Sequence, residues 1–191
     1  MRLSSLTKLA FSAGLVALPF ATPCLGDSPA TNIPQVPFRI ERKVVIIPTR
    51  VNGSQPLNLI LDTGMGFDGV YLFHKECAKD MDTTGAITVR VPGAGSGEAS
   101  TALMMENGRL TFGDLTADSQ RVIIAQSEHT QSFRTDGVIG WTLFGHHTVE
   151  IDYDRELIFL HDPTAFKADT GWLGLPLILK ENIPFLDAKL R

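Results

Sequence analysis

Hydrophobic and polar positions along this chain fall into short runs separated by turn residues, and few long stretches carry a helical period. That pattern predicts strands and tight turns. Residues 43–51 (KVVIIPTRV) predict a strand, with Pro48 pointing to an edge or a bulge. Asn52-Gly53 is a strong turn signal, and Leu57 to Leu61 returns as the partner strand. Gly69 to Phe73 predicts a short strand and His74 to Met81 a short polar helix. Ile87 to Val91 alternates as a half-exposed strand does, and Ala99 to Met105 can return beside it. The tip between them, Pro92 to Gly97, is glycine-rich and predicts mobility. Arg109 to Phe112, a turn at Gly113-Asp114 and Arg121 to Ala125 follow. Asp136 to Gly140 (DGVIG) predicts a buried strand and Trp141 to His147 a short helix. Val149 to Tyr153 and Glu156 to His161 predict a hairpin around Asp154-Arg155.

The two ends read differently. Residues 1–26 have the pattern of a secretory signal, with Arg2 and Lys8 near the start and an apolar run from Leu9 to Ala21. That run is thirteen residues, far short of the roughly 20 that span a bilayer. Cleavage is expected near Gly26, giving a secreted or periplasmic product with no stable membrane span. Pro23 directly before Cys24 fits lipidation poorly. Residues 27–41 are proline-rich and predict an extended arm, 42–163 the folded lobe, and 164–191 an apolar C-terminal extension. Within that extension, residues 183–191 (IPFLDAKLR) faintly echo 36–42 (VPFRIER), so the extension is a candidate start of a second lobe. The length of 191 residues suits one domain or one lobe of a larger protein. A net charge of −4 and a pI near 5.7 argue against nucleic acid as a partner. Removal of the signal leaves Cys77 as the single cysteine, expected to be a buried small hydrophobe.

Chemistry concentrates at the end of the strand Leu57 to Leu61, where an apolar run meets Asp62-Thr63-Gly64. A carboxylate placed there, at the rim of a core, must be hydrogen-bonded, paired or put to chemical use. Gly64 lets the backbone turn sharply and bring peptide N–H groups to that carboxylate. The tripeptide alone is weak: it arises by chance in about one chain of this length in twenty-five. A second copy, Asp169-Thr170-Gly171, follows no apolar strand and predicts a surface turn.

Taken together, the loop, the glycine-rich hairpin, DGVIG, the short helix and residues 149–160 (VEIDYDRELIFL) resemble the single-lobe, retropepsin-like aspartic peptidases over roughly Arg42 to His161. The resemblance implies an all-β fold: a closed, distorted β-barrel of the acid-protease type with one or two short helices. It implies an aspartic endopeptidase acting on polypeptide, in which two aspartates, one per lobe, share a proton and activate a water. On that reading Asp62 is catalytic, Thr63 forms a hydroxyl lock between lobes and Gly64 shapes the loop. Val138, Ile139 and Gly140 support it from below, and Gly93, Ala94, Gly95, Ser96 and Gly97 form the tip of a flap over substrate. Met65 stands where the family usually has Ala or Ser; it cannot hydrogen-bond the outer carboxylate oxygen and is expected at the substrate pocket. The second lobe would come from a homodimer mate or from a longer chain.

Other chemistries fare worse. Gly93 to Gly97 invites a dinucleotide reading, but Pro92 interrupts the junction and the chain lacks the alternating strands and long helices of a doubly wound sheet. The five histidines form no metal-ligand spacing, so neither a metal nor another cofactor is expected. The rival to the peptidase is an inactive barrel of the same shape that binds peptide or a partner protein.

Overall fold

In the computed structural model, residues 8–11, 33–92, 99–128 and 130–189 are described. The strands are β1 (Lys8–Phe11), β2 (Gln35–Pro37), β3 (Arg39–Glu41), β4 (Val44–Val51), β5 (Leu57–Leu61), β6 (Gly69–Leu72) and β7 (Ile87–Val91). They continue with β8 (Ser100–Phe112), β9 (Leu115–Ala125), β10 (Gly137–Ile139), β11 (Thr148–Asp152), β12 (Leu157–His161), β13 (Ile178–Lys180) and β14 (Ile183–Phe185). Among the described residues, helix is confined to α1 (Trp141–Phe144) and two single 3-10 turns, Lys75–Ala78 and Thr130–Ser132. No helix among the described residues is long and apolar enough to cross a membrane.

Six strands close on themselves in the order β4-β5-β10-β6-β9-β8, with β8 pairing back onto β4. This is the closed, distorted barrel that the family resemblance implies, and closure leaves no exposed edge within the ring. Most of its pairs are antiparallel, but β10 runs parallel to β5 and β6 runs parallel to β9. A second sheet, β1-β11-β12-β2, packs beside it. One continuous core joins the two: Ile47, Leu59, Val70, Leu110, Val122 and Ile139 from the barrel, and Val36, Val149, Ile151, Ile158 and Leu160 from the second sheet.

Local chemistry explains the joints. Asn52 and Gly53 both have positive φ, 50° and 78°, which is the two-residue turn that matches strand twist between β4 and β5. Pro48 marks neither of the two features the sequence suggests, an edge or a bulge: the β4–β5 ladder passes through it in register. β4 is paired on both sides, and Pro48 sits where one side hands over from β3 to β8 and faces Asn58 of β5. There a missing N–H costs no ladder bond on the handover side. The two arms expected at 99–105 and 109–112 are a single strand, β8, with register shifts between Met105 and Leu110. The described part of the proline-rich arm, residues 33–41, carries β2, paired with β12, and β3, paired with β4.

The hairpin β11–β12 is organised by Asp152. Its Oδ1 accepts the N–H groups of Asp154 and Arg155, each at 3.1 Å, and its Oδ2 accepts Arg155 Nε at 2.8 Å. Those donors, Arg155 foremost, hold its carboxyl below the usual range. Asp169 to Gly171 is an exposed turn closed by Trp172 N–H to Asp169 O at 3.0 Å. Beyond it Trp172 is half-buried against Phe166, while Leu173, Leu175 and the strands of the β13–β14 hairpin stay largely exposed. Lys8–Phe11, inside the stretch read as a signal, lies as β1 against β11.

Candidate active site

Asp62 follows β5 directly, and the parallel partner β10 fixes where it stands. Gly137, Val138 and Ile139 pair with Leu59, Ile60 and Leu61, and the ladder continues one step further, from Asp62 N–H to Ile139 O at 2.9 Å. The chain then turns at once. Met65 N–H reaches Asp62 O at 3.2 Å, and Gly64 N–H donates to Asp62 Oδ1 at 2.8 Å. Asp62, Thr63 and Gly64 are all exposed, so the carboxylate is held in place from the protein side and open on the other.

The loop is fixed from beneath by DGVIG and α1. Trp141 N–H donates to Met65 O at 3.0 Å. Gly140 lies so close under the loop that a Cβ there would stand 2.1 Å from Asp62 O and 2.9 Å from Met65 Cβ. Only a residue without a side chain fits that approach. Ile139 is fully buried and Val138 half-buried. Met65, expected at the substrate, is buried at 6% exposure against Gly140. Gly93, Ala94, Gly95, Ser96 and Gly97, the expected flap tip, lie outside the described residues; their flanks, β7 and β8, form the predicted hairpin, with Val91 opposite Ser100.

Three contributors were not singled out from the sequence. Asp136 grips the start of β5: its Oδ2 accepts Asn58 N–H at 2.7 Å, and its own N–H donates to Asn58 O at 3.0 Å. This sets the β5–β10 register that carries Asp62. Thr142, buried in α1, accepts Gly69 N–H at 2.8 Å and donates to Gln120 Oε1 at 2.7 Å, tying the helix to β6 and β9. Asn182, on the turn of the β13–β14 hairpin, donates to Gly66 O at 2.9 Å and so touches the active-site loop. An acidic residue opening an apolar-apolar-glycine strand could have flagged Asp136. A contact across 116 residues has no local signal.

Cys77 lies behind this register, its Sγ 3.9 Å from both Asp136 O and Oδ1. Burial first, then the Asp136 charge, pushes its thiol up to about 11. Relative to an ordinary thiol near 9.0, thiolate at neutral pH is about a hundredfold scarcer. Alkylation of the folded protein by iodoacetamide at pH 8, followed by mass spectrometry, should be about a hundredfold slower than for free cysteine. Labelling at the free-cysteine rate would place the thiol in water.

Comparisons with known proteins bear on the same region. The family model described as aspartyl protease matches residues 47–143, from β4 through the DTG loop and DGVIG to α1. Among solved structures, a retropepsin-like aspartic protease from Rickettsia conorii is similar at 19% identity, over 66% of this chain and 87% of that one, with a TM-score of 0.46. No curated protein matches. Because the family model spans half of the chain and contains the loop, the strand beneath it and the helix that locks it, the chain belongs to the aspartyl protease family.

Proposed function

We propose that this chain supplies one lobe of an exported aspartic endopeptidase, with Asp62 as its half of the catalytic pair. The observation that carries the reading is the state of Asp62: an exposed carboxylate locked at the end of a buried strand by Gly64 N–H, Ile139 O and the close approach of Gly140. That is the preorganisation a catalytic group needs.

Two such carboxylates across a symmetry or pseudosymmetry axis share one proton, because like charges about 3 Å apart do not both ionise. The ionised one takes a proton from a bound water as the water oxygen attacks the peptide carbonyl carbon. The protonated one gives its proton to the carbonyl oxygen. The tetrahedral diol then collapses: one of its hydroxyls returns a proton to the ionised aspartate, the C–N bond breaks, and the leaving nitrogen takes up the proton of the other, so the pair again holds one. Thr63 acts as the hydroxyl lock between lobes and residues 93–97 as the lid that excludes water. The second lobe is a homodimer mate or a lobe from a longer chain, and residues 1–26 direct export. A second reading, an inactive peptide-binding barrel, draws on Met65, whose side chain has no donor for the Asp62 carboxylate.

The test is a peptide-library digest with the full chain over a range of pH and chain concentration. Cleavage should fall at alkaline pH, where a doubly ionised pair has lost its acid, and should be indifferent to a zinc chelator. A profile climbing steadily through pH 9, or inhibition by the chelator, would overturn the mechanism. Specific activity that rises with chain concentration identifies a homodimer mate as the source of the second aspartate.

A further inference from the structure

Immediately beyond the active-site loop lies an open cavity of about 370 Å³ that nothing above has used. Its lining includes Phe67, Asp68, Glu106, Arg121, Trp141 and Asn182. Gly66 forms the near rim. The bond from Met65 N–H to Asp62 O closes a four-residue turn, so those two Cα atoms lie within about 7 Å. Gly66 is one residue further, about 3.8 Å. An extended polypeptide advances about 3.3 Å per residue, so the cavity opens two or three residues from a bond held at Asp62.

Charge and surface decide what fits. Arg121 is already engaged: its Nε lies 3.3 Å from Glu106 Oε1, and its guanidinium stands 5.8 Å over the Phe67 ring. Asp68 Oδ1 is 2.8 Å from His146 Nε2. Among the lining residues two carboxylates, Asp68 and Glu106, face one guanidinium, a formal net charge of −1. Phe67 and Trp141 add aromatic faces. Carboxylates beside aromatic rings favour a cation over an anion. The far wall is the C-terminal hairpin, held close: Asn182 bonds Gly66 O, and a Cβ on Gly66 would meet Glu181 O at 2.4 Å.

We propose that this cavity receives a lysine or arginine side chain of the polypeptide substrate, two or three residues from the cleaved bond, and that Glu106 and Asp68 set the preference. The proposal rests on the peptidase reading above, so its test has two arms. In the first, peptides identical except for Lys, Arg, Gln, Leu or Glu at the second and third positions on either side of the cleaved bond are digested by the full chain. At one of these positions kcat/KM should favour Lys and Arg over Glu by about tenfold, the scale of one good charge or cation–π contact. The ratio should shrink in Glu106→Gln and Asp68→Asn and invert in Glu106→Lys. In the second arm, the same peptides carrying a fluorophore are titrated with the Asp62→Asn chain and followed by anisotropy, where Kd should show the same order. Cleavage with no preference, a preference unmoved by Glu106→Gln, or absence of peptide binding would overturn the cavity assignment. Ordered binding without any cleavage by the parent chain would leave the cavity standing and remove the peptidase reading instead.

Discussion

Asp62→Asn should abolish peptide hydrolysis while leaving the fold intact. The amide keeps the shape of the carboxyl and an oxygen to accept Gly64 N–H, so the bond that sets the loop, 2.8 Å in the parent, survives. What is lost is the ability to take a proton from water, which is worth about 10²–10⁴ in rate for a positioned base. In a shared pair the loss is larger: with a lobe from a longer chain the remaining aspartate has no partner whose charge holds its proton, and in a homodimer both aspartates are gone. A fall in kcat/KM of at least about a thousandfold is expected. Stability should move little, within about 0.5 kcal/mol, because Asp62 is exposed and its backbone bonds are unchanged. Peptide turnover and thermal melting on the same preparation check both halves. Undiminished turnover would remove Asp62 from the chemistry; a large drop in melting temperature would make it a structural aspartate.

The parts of this molecule legible in the sequence are those whose signal is local. Asn52-Gly53 announces its turn because both residues must take positive φ. The alternation from Ile87 to Val91 announces a strand with one wet face. The DTG loop is legible because its constraints, an apolar strand, a carboxylate and a glycine, are contiguous. Pro48 misled because a proline marks a missing donor and not the reason for its absence: here the partner strand changes beside it. In the sequence β8 looks like two pieces because Glu106, Asn107 and Gly108 break the pattern, with Asn107 at φ 60°, yet a bulged strand tolerates such a break when β9 follows it on one side. The grip of Asp136 on Asn58 and the bond from Asn182 to Gly66 span 78 and 116 residues. Neither has a period or a spacing that a linear reading can detect. Tertiary closure put them beside the loop, and the second of them brought the C-terminal hairpin into the site's surroundings.

Gly140→Ala should damage catalysis more than it damages the fold. The added methyl would stand 2.1 Å from Asp62 O and 2.9 Å from both Met65 O and Met65 Cβ. Two of those three atoms are backbone, so no side-chain rotation relieves the contact. Either the β10 end drops away or the active-site loop rises. Both bonds that join these segments, Asp62 N–H to Ile139 O at 2.9 Å and Trp141 N–H to Met65 O at 3.0 Å, flank Gly140 and are stretched by either movement. Overpacking of this kind costs about 1–3 kcal/mol, a fall of several degrees in melting temperature for a domain of this size. On the two-aspartate mechanism proposed above, the same shift moves Asp62 against its partner carboxylate, and a displacement of about 1 Å in a catalytic group costs about a hundredfold in rate. Gly171→Ala is the matched control, because a Cβ there meets nothing within 4 Å. Melting followed by circular dichroism, with turnover measured well below the melting temperature, separates the two effects. Loss of turnover no greater than the unfolded fraction would mean that the loop tolerates the methyl and that Gly140 serves packing alone; a folded Gly140→Ala chain turning over about a hundredfold more slowly than Gly171→Ala would show that the glycine's work is to hold Asp62 in place.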